Sequence, residues 1–204
     1  MELVLASGSP RRRQMLESLG IAFSVKSSNI NEARLRGEPA HHFVQRLARE
    51  KAESVVSQKR SSSSDWIVLA ADTVVVYGTL VLGKPSNQGE ALKMLTKLSG
   101  RTHEVVTGYC WMGTRESKLR VLCGHVRTRV TFADMPTDFW KWYVSTGEPM
   151  DKAGAYAAQG IGLSFIEKVS GSYSNVIGLP LPQVLKAFTK TFGGNLYECC
   201  KKSS

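Results

Sequence analysis

Nowhere in the 204 residues does an apolar run approach the roughly 20 that a membrane-spanning helix needs, so none is expected. The N-terminal segment lacks the charged and apolar regions of a signal peptide, and a cytoplasmic location is the expectation. None of the four cysteines (Cys110, Cys123, Cys199, Cys200) has zinc-finger spacing, and free thiols in a reducing compartment fit them best. No internal repeat is visible. Acidic residues are also scarce: 17 Asp and Glu stand against 27 Lys and Arg, a formal charge of +10 that suits acidic partners such as nucleotides or nucleic acid. The basic residues are not clustered and interleaved with aromatics, which argues against nucleic acid. A hydrophobic content of 42% is ordinary for a globular protein, and the length allows one sizeable core or two lobes sharing a sheet.

What is present begins with Leu3-Val4-Leu5-Ala6-Ser7-Gly8-Ser9-Pro10-Arg11-Arg12-Arg13. A short apolar run reads as a buried strand, and small residues then make a tight turn. Ser9 suits a helix N-cap and Pro10 the first helical position. Helix starts favour acidic residues because their exposed amides carry partial positive charge. Three arginines sit there instead, which is locally unfavourable unless an anion such as phosphate fills the site. A solvated basic turn is the plainer alternative.

A strand at residues 23–25 and a polar loop at residues 27–37, holding Asn31 and Glu32, come next. A helix is expected over residues 39–59, with Phe43, Val44, Leu47, Ala48, Ala52, Val55 and Val56 at helical spacing. Lys51, four after Leu47 and four before Val55, falls on that apolar stripe and either snorkels or points into a site. The Ser61–Ser64 run reads as a flexible inserted loop. Residues 66–76 form the most apolar segment and read as a central strand buried on both faces. Asp72 interrupts it. A buried carboxylate needs a partner, and a strand-end acid aimed into a cleft is the stronger reading.

Gly78-Thr79 can turn that strand into a hairpin delivering Lys84 before Pro85, in an extended segment. Asn87 with Glu90 resembles a capping box for a helix through Leu98. Long strands at 103–112 and 119–132 follow, then a short helix at 136–146 whose aromatics read as core. A polar, glycine-bearing loop spans Glu148 to Gly162, and loops of this kind carry function. A strand at 165–169, a loop at 171–175 and a helix at 182–192 complete the reading, with residues 193–204 as a flexible tail.

Together these stretches resemble the Maf family of nucleoside triphosphate pyrophosphatases. The residues carrying the resemblance are Ala6-Ser7-Gly8-Ser9-Pro10-Arg11-Arg12, Leu47-Ala48-Arg49-Glu50-Lys51-Ala52, Ala71-Asp72-Thr73 and Gly83-Lys84-Pro85. Ser99-Gly100-Arg101-Thr102-His103, Asp151-Lys152-Ala153-Gly154-Ala155-Tyr156 and Val176-Ile177-Gly178-Leu179-Pro180 continue it in family order. The resemblance implies an α/β fold in which two lobes share a long mixed sheet flanked by helices, with a central cleft, similar to inosine triphosphate pyrophosphatases. Residues 1–192 would form that one Maf-like domain.

The implied reaction is metal-dependent hydrolysis between the α and β phosphates, giving monophosphate and pyrophosphate. By position, Asp72 activates water and, with Glu32, holds a divalent metal, Mg2+ or Mn2+. Ser7, Arg12, Lys51 and Lys84 line the phosphates. Arginine can grip phosphate by two parallel bonds and lysine supplies a point charge, so the residue types suit those roles. Arg11, Thr73 and Gln159 resemble the branch that prefers dTTP and UTP, often with modified pyrimidines. The branch preferring 7-methyl-GTP typically has Trp, Gln and Glu there and lacks the Asp151-Lys152 pair. Asn31 stands before Glu32 where relatives often carry a second acid, leaving one fewer metal ligand. The family further implies a homodimer, and the alternative functions are a non-hydrolysing nucleotide-binding role linked to cell division and a 7-methyl-GTP pyrophosphatase.

Overall fold

The computed structural model describes residues 1–57 and 65–200, so the Ser61–Ser64 run lies outside the described residues. Seven strands form one mixed sheet: β1 (Glu2–Ala6), β2 (Ser24–Val25), β3 (Trp66–Tyr77), β4 (Leu80–Leu82), β5 (Thr102–Arg115), β6 (Lys118–Phe132) and β7 (Ile166–Ser170). Their order is β2-β1-β3-β5-β6-β7, with β4 paired to β3. β1 runs parallel to β2 and β3, whereas β4 and β7 are antiparallel to their neighbours. Glu116 and Ser117 join β5 to β6 with φ of 53° and 60°, the left-handed pair that a two-residue hairpin requires.

The helices are α1 (Pro10–Glu17), α2 (Ala40–Val56), α3 (Gln88–Leu98), α4 (Thr137–Ser145), α5 (Tyr173–Ile177), α6 (Leu181–Phe192) and α7 (Leu196–Cys199). By compactness the chain divides into two units. The first comprises Met1–Asp72, Thr107–Val126 and the chain from Gly178 on; the second comprises Thr73–Val106 and Arg127–Ile177.

In the first unit the double-sided burial read from the sequence holds, residue by residue. Leu3, Leu5, Ile67, Leu69, Ala71, Tyr109 and Trp111 face α1 and α6, meeting Leu16, Val184, Phe188 and Phe192. The alternate residues Val4, Ala6, Val68, Ala70, Cys110 and Met112 face Ala48, Ala52 and Val55 of α2. A period of two on the strands and of 3.6 on the helix thus converge on one layer. A Cβ at Gly108 would stand 2.3 Å from the Val44 carbonyl, so only glycine lets α2 lie this close to β5.

The second unit packs Ala91, Met94, Leu95 and Leu98 of α3 and Trp140, Tyr143 and Val144 of α4 around Phe132 and Phe165. Phe132 and Phe165 meet edge to face, their ring centres 5.0 Å apart.

Four expectations change. The loop at 171–175 gives way to α5, organised by buried Asn175, whose Nδ2 donates to Val105 O and Thr128 Oγ1 at 3.0 Å. Residues 193–200 are no frayed tail: Leu196 and Cys200 are buried, and Cys200 O accepts from Ala22 N at 2.8 Å. Cys110 and Cys123, expected as free thiols, are joined as a disulfide across β5 and β6 with Cα atoms 4.0 Å apart, while Cys199 and Cys200 are free. The capping box is displaced by one residue. Asn87 accepts from Glu90 N at 2.9 Å, but the Glu90 carboxylate returns to Ser86 N at 2.7 Å.

Candidate active site

The site is built where β1 ends and its parallel neighbour β3 runs on past it. Ala6, the last residue of β1, pairs with Ala70 of β3, so Ser7 leaves β1 beside the point where β3 runs on to Asp72. Carboxyl ends of parallel strands are where open α/β sheets bind ligands. Asp72 is not a strand-end residue as expected; it lies inside β3, in the stretch between the last pair with β1 and the first pair with β4, at Val75.

Alternation decides which way Asp72 points. Val68 and Ala70 face α2, and Asp72 is the next residue in that row. Lys51 sits on the opposing stripe of α2 among Ala48, Ala52 and Val55, and its Nζ reaches Asp72 Oδ1 at 2.6 Å. Of the two readings for Lys51, the inward one holds: Lys51 is 7% and Asp72 8% exposed. Glu32, on the loop before α2, places Oε1 2.8 Å from the same ammonium with its side chain half exposed.

The energetics argue that this cluster is not there for stability. Replacing a buried ion pair with apolar groups of similar volume is often neutral or stabilising by about 1–4 kcal/mol, so a fold seeking stability alone has cheaper choices.

Arg12 is the second buried cation. Its Nε donates to Gly178 O at 2.7 Å, and its Nη1 donates to Ser7 Oγ at 3.1 Å. Burial lowers its pKa, opposed mainly by the negative charge of Asp72. Ser7 Oγ also accepts from Ser9 N at 3.2 Å. Ser9 itself gives no side-chain cap, so the turn is stitched by Ser7 instead. The first turn of α1 carries no acid, Arg11 is half-buried, and Arg13 turns outward to Glu17 at 2.8 Å.

Arg46 is a residue the sequence reading passed over. It holds the Glu32 loop on α2, its Nε and Nη2 gripping the Glu38 carboxylate at 2.8 and 2.9 Å and Nη2 also reaching Ala33 O at 3.1 Å. The i,i+4 spacing to Glu50 was visible in the sequence, but the reach back to Ala33 and Glu38 was not.

The remaining predicted residues belong to the second unit. Thr73 is half-buried on β3, and Lys84 is exposed in an extended segment, as its place before Pro85 suggested. That segment is tied down by a bond from Gly154 N to Gly83 O at 3.0 Å. Gly154 has φ +67°, and a Cβ there would meet Val75 Cγ2 at 2.7 Å, which fixes glycine at this crossing. Gln159 is exposed on the loop that follows.

Glu32 and Asp72 are the carboxylates that could hold a divalent cation; each places one oxygen against the Lys51 ammonium. Magnesium is typically held by one or two carboxylates with phosphate oxygens and water completing its shell. No cluster of three or more His, Cys, Asp or Glu suited to metal exists among the described residues, so protein side chains alone would not cage the ion.

Comparison with known proteins gives a consistent match. The Maf-like protein family model matches residues 2–191. A dTTP/UTP pyrophosphatase of Myxococcus xanthus is 50% identical over 183 residues, covering 90% of this chain and 89% of its own. A dTTP/UTP pyrophosphatase of Syntrophus aciditrophicus is 44% identical over 201 residues, covering 97% and 95%. Among solved structures, a dITP/XTP pyrophosphatase from Mycobacterium abscessus aligns over 93% of both chains at 13% identity and a TM-score of 0.39.

Proposed function

The chain belongs to the Maf-like protein family, and from that premise we propose that it hydrolyses dTTP and UTP between the α and β phosphates, releasing monophosphate and pyrophosphate. The observation that carries this reading is the buried Lys51–Asp72 pair, joined by Glu32, in a chain half identical to a dTTP/UTP pyrophosphatase.

Hydrolysis of a phosphoanhydride needs charge on the non-bridging oxygens and a positioned, deprotonated water, and little else from the protein. Asp72 takes the proton of the attacking water. As the water oxygen bonds to phosphorus, the bond to the bridging oxygen breaks and pyrophosphate leaves. Lys51 fixes the Asp72 carboxylate through Oδ1 and adds positive charge where the substrate is negative. Arg12, held by Gly178 and Ser7, offers a guanidinium that cannot swing away, so little entropy is lost on gripping phosphate. The start of α1, with no acid in its first turn and with Arg11 and Arg12 on it, favours the same anion.

Glu32 and Asp72 would hold a divalent metal, which when bound would neutralise charge on the phosphate oxygens. Lys84 is assigned to the phosphates, and Arg11, Thr73 and Gln159 to the base, on the strength of the family pattern. Thr73 and Gln159 can hydrogen-bond a pyrimidine edge, and a site built for such bonds rejects a base that cannot make them. The same three positions argue against 7-methyl-GTP as the preferred substrate.

The test is metal-dependent release of pyrophosphate from dTTP by the wild type and by Asp72→Asn. A folded Asp72→Asn protein should lose about 10^2- to 10^4-fold in turnover, the usual contribution of a general base. Undiminished turnover would remove Asp72 from the proton transfer. Tight dTTP binding without turnover by the wild type would favour the non-hydrolysing reading instead.

A further inference from the structure

The loop carrying Gln159 is held at its backbone by tyrosine hydroxyls. Tyr156 bonds His103 Nε2 through its hydroxyl at 2.8 Å. Ala157 N donates to the Tyr143 hydroxyl at 3.2 Å, and that hydroxyl donates to Glu148 Oε1 at 2.8 Å. The Tyr173 hydroxyl donates to Ala158 O at 2.6 Å. Three consecutive residues are thus tied down, Tyr156 through its own hydroxyl to His103 and Ala157 and Ala158 at the backbone by the hydroxyls of Tyr143 and Tyr173, and Gln159 follows at once. Beyond it, Ile161 N donates to Glu148 Oε2 at 3.4 Å. Residues 154–158 are buried, whereas Gln159 and Gly160 are exposed between the two anchored flanks.

The three tyrosines are not equivalent. Tyr143 and Tyr156 are core residues, 0% and 5% exposed, whose rings pack on Phe165 and Phe132. Tyr173 is 46% exposed, so its ring adds little to the core, yet its hydroxyl makes the shortest of these bonds, on the carbonyl next to Gln159. Its own base is rigid. Ser172 N donates to Thr128 Oγ1 at 3.1 Å, and Asn175 Nδ2 donates to Thr128 Oγ1 and Val105 O, so the start of α5 is pinned to β5 and β6. A path therefore runs from Thr128 on the sheet by hydrogen bonds to Ser172, along the chain to Tyr173, and by its hydroxyl to the peptide that presents Gln159.

We infer that Tyr173 is a positioning residue for base selection, holding the Ala158–Gln159 peptide so that Gln159 is presented in one orientation to the pyrimidine edge. This rests on the pyrophosphatase reading above and deepens it. A side chain that must form a hydrogen bond to discriminate loses that discrimination when its backbone can drift, because the bond then carries an ordering cost.

The experiment is Tyr173→Phe, which removes one hydroxyl from a half-exposed ring and leaves the packing intact. Steady-state kinetics on dTTP, UTP and GTP are read beside hydrogen exchange of the residue 159–161 amides. Losing one hydrogen bond of ordinary net strength should lower kcat/KM for dTTP and UTP about threefold to tenfold, through KM, with kcat within about twofold. GTP should be unaffected, so the pyrimidine preference shrinks by the same factor, and the 159–161 amides should exchange faster. An unchanged preference, or an equal loss on all three nucleotides, would overturn the inference while leaving the pyrophosphatase reading intact. A wild type that turns over neither dTTP nor UTP would overturn both.

Discussion

The two units of the molecule differ in the polar groups they bury. The first buries charge beside the neutral Ser7 and Thr107: Arg12, Lys51 and Asp72 are each no more than 9% exposed. The polar residues buried in the second are neutral, His103, Thr128 and Asn175, with the hydroxyls of Tyr143 and Tyr156 beside them. Both choices cost desolvation, but by different amounts. A hydroxyl or amide removed from water is repaired by one or two hydrogen bonds, whereas an ion costs several kcal/mol even after relaxation. Neutral networks of this kind specify geometry. Buried ions that apolar side chains could replace at no loss of stability point to a charged ligand. The contrast therefore sets a unit with buried charges apart from a unit whose neutral network fixes a loop.

The contrast can be broken most severely at Lys51. Lys51→Met keeps the apolar stem but leaves Asp72 facing Glu32 without a cation. Stripping one partner from a buried pair costs about 3–5 kcal/mol, and the half-exposed Glu32 carboxylate places this case at the lower end. Pyrophosphate release should fall at least about 100-fold, and a thermal melt should show the loss of stability. A variant that melts like the wild type would mean that the pair is far better solvated than its burial indicates.

A smaller effect is expected from the neutral side of the comparison. Burial pushes the His103 pKa down from 6.5 to about 4. The folded state therefore keeps His103 neutral where the unfolded chain takes up a proton. Its contribution is intact above pH 6.5 and is lost as pH falls from 6.5 towards 4, on the order of 3 kcal/mol in all. Denaturant melts of the wild type from pH 7.5 to 4.5 should show this decline, and His103→Asn should flatten it. An equal slope in both proteins would place the acid sensitivity elsewhere.

The mildest test concerns the Glu32 loop. Arg46→Met cuts its ties to Ala33 and Glu38 without touching Lys51 or Asp72. The bond to Ala33 is exposed but the two-pronged pair with Glu38 is part-buried, so the melting temperature should fall modestly, by much less than for Lys51→Met. The metal concentration giving half-maximal turnover should rise about threefold, as one ligand loses its fixed position.

Much of the first unit was legible in sequence because its geometry is periodic. The double-sided apolar runs at Leu3–Ala6 and Ile67–Ala71, and the stripe placing Lys51 between Leu47 and Val55, follow from spacings of 2 and 3.6. The pairing of Lys51 with Asp72 follows once strand and helix are stacked.

Contacts across long sequence separations were not legible. Arg12 is held by Gly178, 166 residues away, and nothing local announces it. The braces on residues 156–158 come from Tyr143 of α4, Tyr173 of α5 and His103 of β5. α5 escaped notice because its five residues are organised by a buried asparagine and a threonine from another strand, not by helical periodicity. The Cys110–Cys123 pair depends on register between β5 and β6, which neither strand states alone.

Whether the buried charges of the first unit serve cleavage of a pyrimidine nucleoside triphosphate is decided by following products. Phosphorus NMR of the wild type, incubated separately with dTTP, UTP, CTP, GTP and 7-methyl-GTP in the presence of Mg2+ or Mn2+, identifies both the preferred base and the bond cleaved. If the charges do so, dTTP and UTP are consumed first, each yielding one monophosphate and one pyrophosphate. Orthophosphate as the primary product, or a purine consumed ahead of both, would contradict that role.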